Sequence, residues 1–133
     1  MSNALYDLGR NAFLKGEIAY LTDTIKAALI DGTYVPDLST DQFWSTVVGS
    51  VVGTPQILAN KTTTAGVANA TPTTFSSVVG SVVQYIVIYK DTGVNSTSPL
   101  IAFIDTGTGL PVTPNGGDIT INWDTGASKI FKL

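Results

Sequence analysis

Over most of this chain the apolar residues fall in short runs closed by small, polar, glycine-containing breaks, and only the first fifteen residues show helical spacing. The pattern is clearest from Gln84 onward. Gln84-Tyr85-Ile86-Val87-Ile88-Tyr89 stops at Lys90-Asp91-Thr92-Gly93, and Leu100-Ile101-Ala102-Phe103-Ile104 stops at Asp105-Thr106-Gly107. A third Asp124-Thr125-Gly126 separates Ile119-Thr120-Ile121-Asn122-Trp123 from Lys129-Ile130-Phe131-Lys132-Leu133. Runs rich in β-branched and aromatic residues, bounded by turn formers, predict strands. Upstream, Thr24 to Ile30 predicts a strand closed by Asp31-Gly32, although its Ala, Leu and Lys would also suit a helix continuing from Glu17. Pro55 to Asn60 and Gly66 to Phe75 add two Thr- and Ala-rich strands, joined by a polar turn around Lys61 to Thr64. Pro111 to Asp118 predicts a wide turn, because its prolines cannot sit inside a central strand.

At the N-terminus, Leu5, Leu8, Ala12 and Phe13 recur at helical spacing. They predict a short amphipathic helix from about Ala4 to Lys15, capped by Ser2 or Asn3 and ended by Gly16. Gly9 weakens that helix by roughly 1 kcal/mol relative to Ala, so its stability must come from what it packs against. Tyr34 to Ser45 predicts a long surface loop with a helical turn near Ser39; its Phe43-Trp44 pair either plugs the core or marks an interface. Two near-identical octapeptides begin at Ser45 and Ser76, both ending Val-Val-Gly-Ser-Val-Val. Two copies do not make a solenoid, and each predicts a valine strand with a glycine bulge or bend.

These elements add up to a mainly β protein: an antiparallel β-sandwich or small barrel of about seven strands with a short N-terminal α-helix. At 133 residues the chain suits one domain, residues 1–133, with a helical segment over 1–16 and a β domain over 17–133. Composition changes the picture in one way. Only 13% of residues are charged and mean hydropathy is +0.27, so the surface must be Thr, Ser, Asn and Gly or be covered by another protein. That favours an assembly subunit over a freely diffusing enzyme.

The net charge of −3, with scattered Lys and Arg, argues against nucleic acid, which requires clustered cations. No apolar run reaches the length of a membrane span, and no leader pattern opens the chain, which predicts a soluble, unprocessed protein with no membrane partner. Without Cys or His, thiolate catalysis, disulfides, zinc-thiolate sites and Ser-His chemistry drop out. Asp-Thr-Gly is also the catalytic tripeptide of aspartic proteases, and residues 121–128 resemble the retroviral form. That chemistry needs two carboxylates about 3 Å apart in a cleft. Only seven residues follow Gly126, too few for the flap and crossing strand of such a protease. An Asp that accepts backbone N–H groups ahead of a glycine able to take positive φ is a turn, and all three copies predict turns. Asp31, Asp37, Asp41, Asp105 and Asp118 lack the alternation of a calcium loop. The expectation is a protein with no catalytic activity, metal or cofactor.

Three stretches carry a family resemblance: residues 86–93 and 98–105, then Gly109 to Asp118, with Ala4-Leu5-Tyr6-Asp7-Leu8-Gly9-Arg10 at the opening. They resemble small virion structural proteins of tailed bacteriophages. The resemblance implies a β-rich subunit made in the host cytoplasm and incorporated in many copies on the particle, as a cement or decoration protein on the capsid exterior. Its partners would be the major capsid protein and further copies of itself. A tail, connector or baseplate component is the alternative within the virion. An adhesin-like glycan-binding module is the alternative outside that class, with Trp44, Trp123 and Tyr34 as its aromatic platform. The expected protein interface comprises Leu5, Tyr6, Leu8 and Phe13 from the helix and Phe43 and Trp44 from the loop. Removal of residues 1–15 would then weaken particle binding and leave the β domain folded.

Overall fold

The computed structural model describes residues 4–105, 110–123 and 130–132. The protein is mainly β, with antiparallel sheets and one α-helix. Strands β1 (Ala4–Leu5), β2 (Ile25–Asp31), β3 (Val51–Ile57), β7 (Val83–Lys90) and β8 (Leu100–Ile104) form a five-stranded sheet in the order β1-β8-β7-β2-β3. Two small sheets accompany it. One joins β4 (Thr62–Thr64), β5 (Val67–Asn69) and β10 (Phe131–Lys132) in the order β10-β5-β4; the other pairs β6 (Thr73–Phe75) with β9 (Ile119–Ile121). No sheet among the described residues closes on itself, so the arrangement is sandwich-like and the barrel alternative falls.

The central sheet is covered on both faces. Along β2, Ile25, Ala27 and Leu29 join one core with Ile86 and Ile88 of β7, while Ala28 and Ile30 join a second core with Val87 and Tyr89. The first core is completed by residues of the small sheets, among them Ala68, Phe75, Ile121 and Phe131. The second is completed by the loop after β2, through Tyr34, Trp44 and Val47, and by Tyr6. Burial on both faces explains why β7 and β8 are continuous apolar runs in sequence and do not alternate. In β8, Ala102 pairs with Ile88 but Leu100 pairs with Tyr89, so Ile101 is the extra residue of a bulge. The bulge puts Ile101 and Ala102 on the same side, and both enter the first core.

Several elements depart from expectation for physical reasons. The helix α1 (Asp7–Leu14) begins later than its spacing predicts. Ala4 and Leu5 are extended because they pair with Phe103 and Ala102, and Tyr6 N–H donates to the Ile101 carbonyl. The proposed Ser2 or Asn3 cap lies outside the described residues. Gly16 ends the helix as expected, at φ +76°. The two octapeptides are not strands. The first forms two short 3-10 turns, Trp44–Thr46 and Val48–Ser50, and only its last two residues enter β3; the second enters β7 only at Val83. Each nevertheless buries its first valine (Val47, Val78), exposes its second (Val48, Val79) and buries its last (Val52, Val83). Gly80, at φ +132°, takes a backbone conformation that prevents a regular strand in the second copy. Lys61 to Thr64 is not the turn: Thr62–Thr64 is β4, and the hairpin reverses at Ala65-Gly66, both at positive φ. Shorter strands in this region, together with β1, raise the count above the expected seven. The turns placed at Asp105-Thr106-Gly107 and Asp124-Thr125-Gly126 lie partly or wholly outside the described residues.

The edge strand β3 carries its own protection against further pairing. Its register with β2 shifts between Ala27 and Leu29, next to Gly53 at φ +74°, and Pro55 follows. A bulge and a proline on an edge strand both discourage another chain from adding on.

Gly9 shows why α1 tolerates a poor helix former. The helix crosses β8 so closely that a Cβ at Gly9 would collide with the Leu100 carbonyl oxygen, a backbone atom that cannot rotate away. Gly9→Ala sets a helix-propensity gain of about 1 kcal/mol against an overpacking cost of about 1–3 kcal/mol. A net loss of stability in chemical denaturation is expected; a net gain would mean that the helix can lift off the sheet freely. Because Leu5 and Tyr6 are in the core, a chain lacking residues 1–15 is expected to lose its cooperative unfolding transition. This replaces the expectation of an intact β domain.

Candidate functional site

The six residues expected at an interface divide by burial. Leu5, Tyr6 and Trp44 are inside the body, at 5%, 0% and 4% exposure, and cannot meet a partner while the chain is folded. Trp44 lies flat on Tyr89, with ring centroids 4.0 Å apart and planes within 7°. That stack settles the role of the Phe43-Trp44 pair: Trp44 plugs the second core. Phe13 is half-buried, tilted against Phe131 at 6.1 Å. Leu8 and Phe43 are also half-buried, and both line one groove.

Leu8 and Phe43 line an open groove of about 360 Å³ between α1 and the segment that follows β7. Ala12 and Pro99 complete its apolar lining, and Lys15, Glu17, Gln42, Lys90, Thr92 and Thr97 bring polar groups to it. The groove exists because Phe43 bridges to Pro99 while Trp44 N–H donates to the Ser98 carbonyl and Leu100 N–H to that of Gln42. These bonds pin the loop alongside the start of β8, next to the helix. Its cations are engaged within the chain: Lys15 pairs with Glu17 at 3.3 Å, and Lys90 pairs with Asp23 at 3.1 Å and donates to the Glu17 carbonyl at 2.8 Å. Thr92 Oγ1 and Thr97 Oγ1 share a hydrogen bond at 2.6 Å. The result is a concave surface with apolar walls whose lysines are paired within the chain. Sequence reading found Leu8 and Phe43 from their size on exposed elements. It missed Lys90, Thr92 and Pro99, since nothing local links the end of β7 to α1.

Several carboxylates serve turns, backbone clasps and ion pairs. Asp91 Oδ1 accepts from Gly93 N–H at 2.9 Å, the turn predicted for that Asp-Thr-Gly, and Oδ2 pairs with Lys26 at 2.8 Å. Asp31 accepts from Thr33 N–H, Asp37 from Ser39 and Thr40 N–H, and Asp118 from Ser77 N–H. Among the described residues no three His, Cys, Asp or Glu side chains gather as a metal site would require.

A buried chain of hydroxyls links the N-terminal segment to the loop. Tyr34 donates to Asp41 at 2.7 Å and stands 2.8 Å from the Tyr6 hydroxyl. Burial drives both phenols far above their ordinary range, so both remain protonated at any working pH. Tyr34, Trp44 and Trp123 are all buried, at 5%, 4% and 9% exposure, and offer no aromatic platform for a glycan.

The ion pairs give a pH dependence. The Lys26 ammonium and then the Gly93 N–H hold the Asp91 carboxyl below its ordinary value; the Ala19 N–H and then Lys90 do the same for Asp23. The stability these groups supply is complete above the unfolded carboxylate range near 3.8 and is lost as pH falls through their lower folded values. Asp91→Asn is expected to cost about 1 kcal/mol at neutral pH. Urea denaturation across the acid range is expected to show its difference from wild type shrinking below about pH 4. A constant difference would place the effect of Asp91 in something other than its charge.

Compared with known proteins, the chain matches no protein-family model and no curated protein.

Proposed function

We propose that this chain is a non-enzymatic structural subunit of a tailed-phage virion, a cement or decoration protein that binds the outside of the capsid across neighbouring shell subunits. The observation that carries the reading is a low-charge surface with large apolar groups left outside the cores. Leu14, Val35 and Val79 are 86%, 82% and 68% exposed, on three separate segments outside the buried strands β7 and β8. The resemblance of residues 86–93, 98–105, 109–118 and 4–10 to small phage virion proteins supports it, and so does the engagement of the site's charged groups in turns and ion pairs.

Such a protein acts by adding contact area that the bare shell lacks. Apolar surface removed from water stabilises by roughly 25 cal/mol per Å², from which the cost of association must be subtracted. Each contact is weak alone, and many symmetric copies bound to the major capsid protein, and touching one another, make the gain collective. The Leu8–Phe43 groove gives the subunit a concave feature that a neighbour's protruding side chain fits.

The test is the copy number on purified particles, measured by quantitative mass spectrometry against the major shell protein. A number on the same order as the shell protein is expected, with depleted particles failing earlier under heat or osmotic shock. A small number would move the protein to the tail, connector or baseplate, and absence from particles would end the virion reading.

A further inference from the structure

We propose that Asn115 is a site of spontaneous covalent modification, deamidation through a cyclic imide, and that the fold controls it by pairing residues 116–118 with Ser77 and Val78. This inference does not depend on the virion reading.

Asn115-Gly116 is the one Asn-Gly pair in the sequence. In such a pair the glycine's backbone nitrogen attacks the asparagine side-chain carbon, an approach that a Cβ on the next residue would obstruct. The nitrogen–Cγ bond forms, the Cγ–Nδ2 bond breaks, and the displaced amide leaves as ammonia, carrying the proton that the backbone nitrogen gives up. Water then opens the imide to aspartate, or to isoaspartate with one more carbon in the main chain. No oxidant, metal or enzyme is required.

The structure presents the electrophile and occupies the nucleophile. Asn115 is exposed, and its Oδ1 accepts from Gly117 N–H at 2.9 Å, which fixes and polarises the side-chain carbonyl in contact with water. Gly116 N–H, the attacking nitrogen, donates to the Val78 carbonyl at 2.8 Å. Two further bonds hold that one closed: Val78 N–H donates to the Gly117 carbonyl at 3.0 Å, and Ser77 N–H donates to Asp118 Oδ1 at 3.0 Å. The nitrogen is released only when the two segments separate. Closure afterwards is hindered, because either product puts a second carboxylate beside Asp118 and isoaspartate lengthens the turn. Each opening that goes on to reaction is therefore recorded in the covalent structure, at the end of the sheet that also exposes Val79.

The experiment incubates the full chain at mildly alkaline pH, without urea, at sub-denaturing urea and fully unfolded, and quantifies aspartate and isoaspartate at position 115 by peptide mass spectrometry. The native rate is expected to be at least about tenfold below the unfolded rate and to rise with urea ahead of global unfolding. Asp118→Ala, which removes the Ser77 clasp, is expected to raise the native rate several-fold at nearly unchanged thermal stability. Equal native and unfolded rates would overturn the proposal, as would a rate that rises only with global unfolding. If Asp118→Ala does not fold, the urea series on the wild-type chain decides alone.

Discussion

Everything in this protein is arranged around a sheet that must be covered on both faces. Strands β2, β7 and β8 present apolar side chains above and below, and an antiparallel sheet of this kind is stable in water only when two separate layers screen it. One layer is built from the small sheets, which join strands of the middle of the chain to strands near its end. The other is an irregular loop, which succeeds because Trp44 stacks on Tyr89 and Val47 is fully buried beside it. The N-terminal segment contributes to both cores, since Leu5 enters the first and Tyr6 the second. A segment that resembles an appendage in sequence thus becomes part of the framework.

The same sheet sets the polarity of the surface. At the end where Ile25 pairs with Lys90, the Lys26–Asp91 and Lys90–Asp23 pairs cluster, and Lys61 donates to the Asp23 carbonyl beside the Tyr20 ring. Burial lowers the Lys61 ammonium's proton affinity there. At the other end, where Ile30 pairs with Val51 and Asp31 with Val83, the two octapeptides meet: a Cβ at Gly80 would touch Val52, and one at Gly53 would touch Val78. This end carries aliphatic groups, hydroxyls and the bonded carboxylates of Asp31 and Asp118. One end is held by charge and the other by packing and backbone hydrogen bonds, so acid and local loop opening act on different parts of the molecule.

Among the described residues, carboxylates that accept turn N–H groups and lysines bonded to carboxylates or carbonyls hold the loops in place. Exposed aliphatic groups and a groove with apolar walls remain at the surface. A blunted edge strand limits uncontrolled pairing while side-chain surfaces stay open, as the proposed assembly role would require.

The sequence by itself determined the β class, the positions of β2, β7 and β8, the end of the helix at Gly16 and the turn at Asp91. Each is encoded within a few residues, by an apolar run, a left-handed glycine or a carboxylate beside the N–H it accepts. Leu8 and Phe43 were legible as exposed-element apolar groups, but not as walls of one groove. Only the tertiary structure decided that Ala4–Leu5 join the sheet, that the valine octapeptides bend into turns, that Trp44 is core, and that Pro99 and Lys90 line one groove with the helix. Those outcomes depend on partners far along the chain: Ala4 is extended because Phe103 lies beside it, and Trp44 is buried because Tyr89 offers its face. Local propensity cannot express a choice that is made by a surface assembled from the rest of the fold.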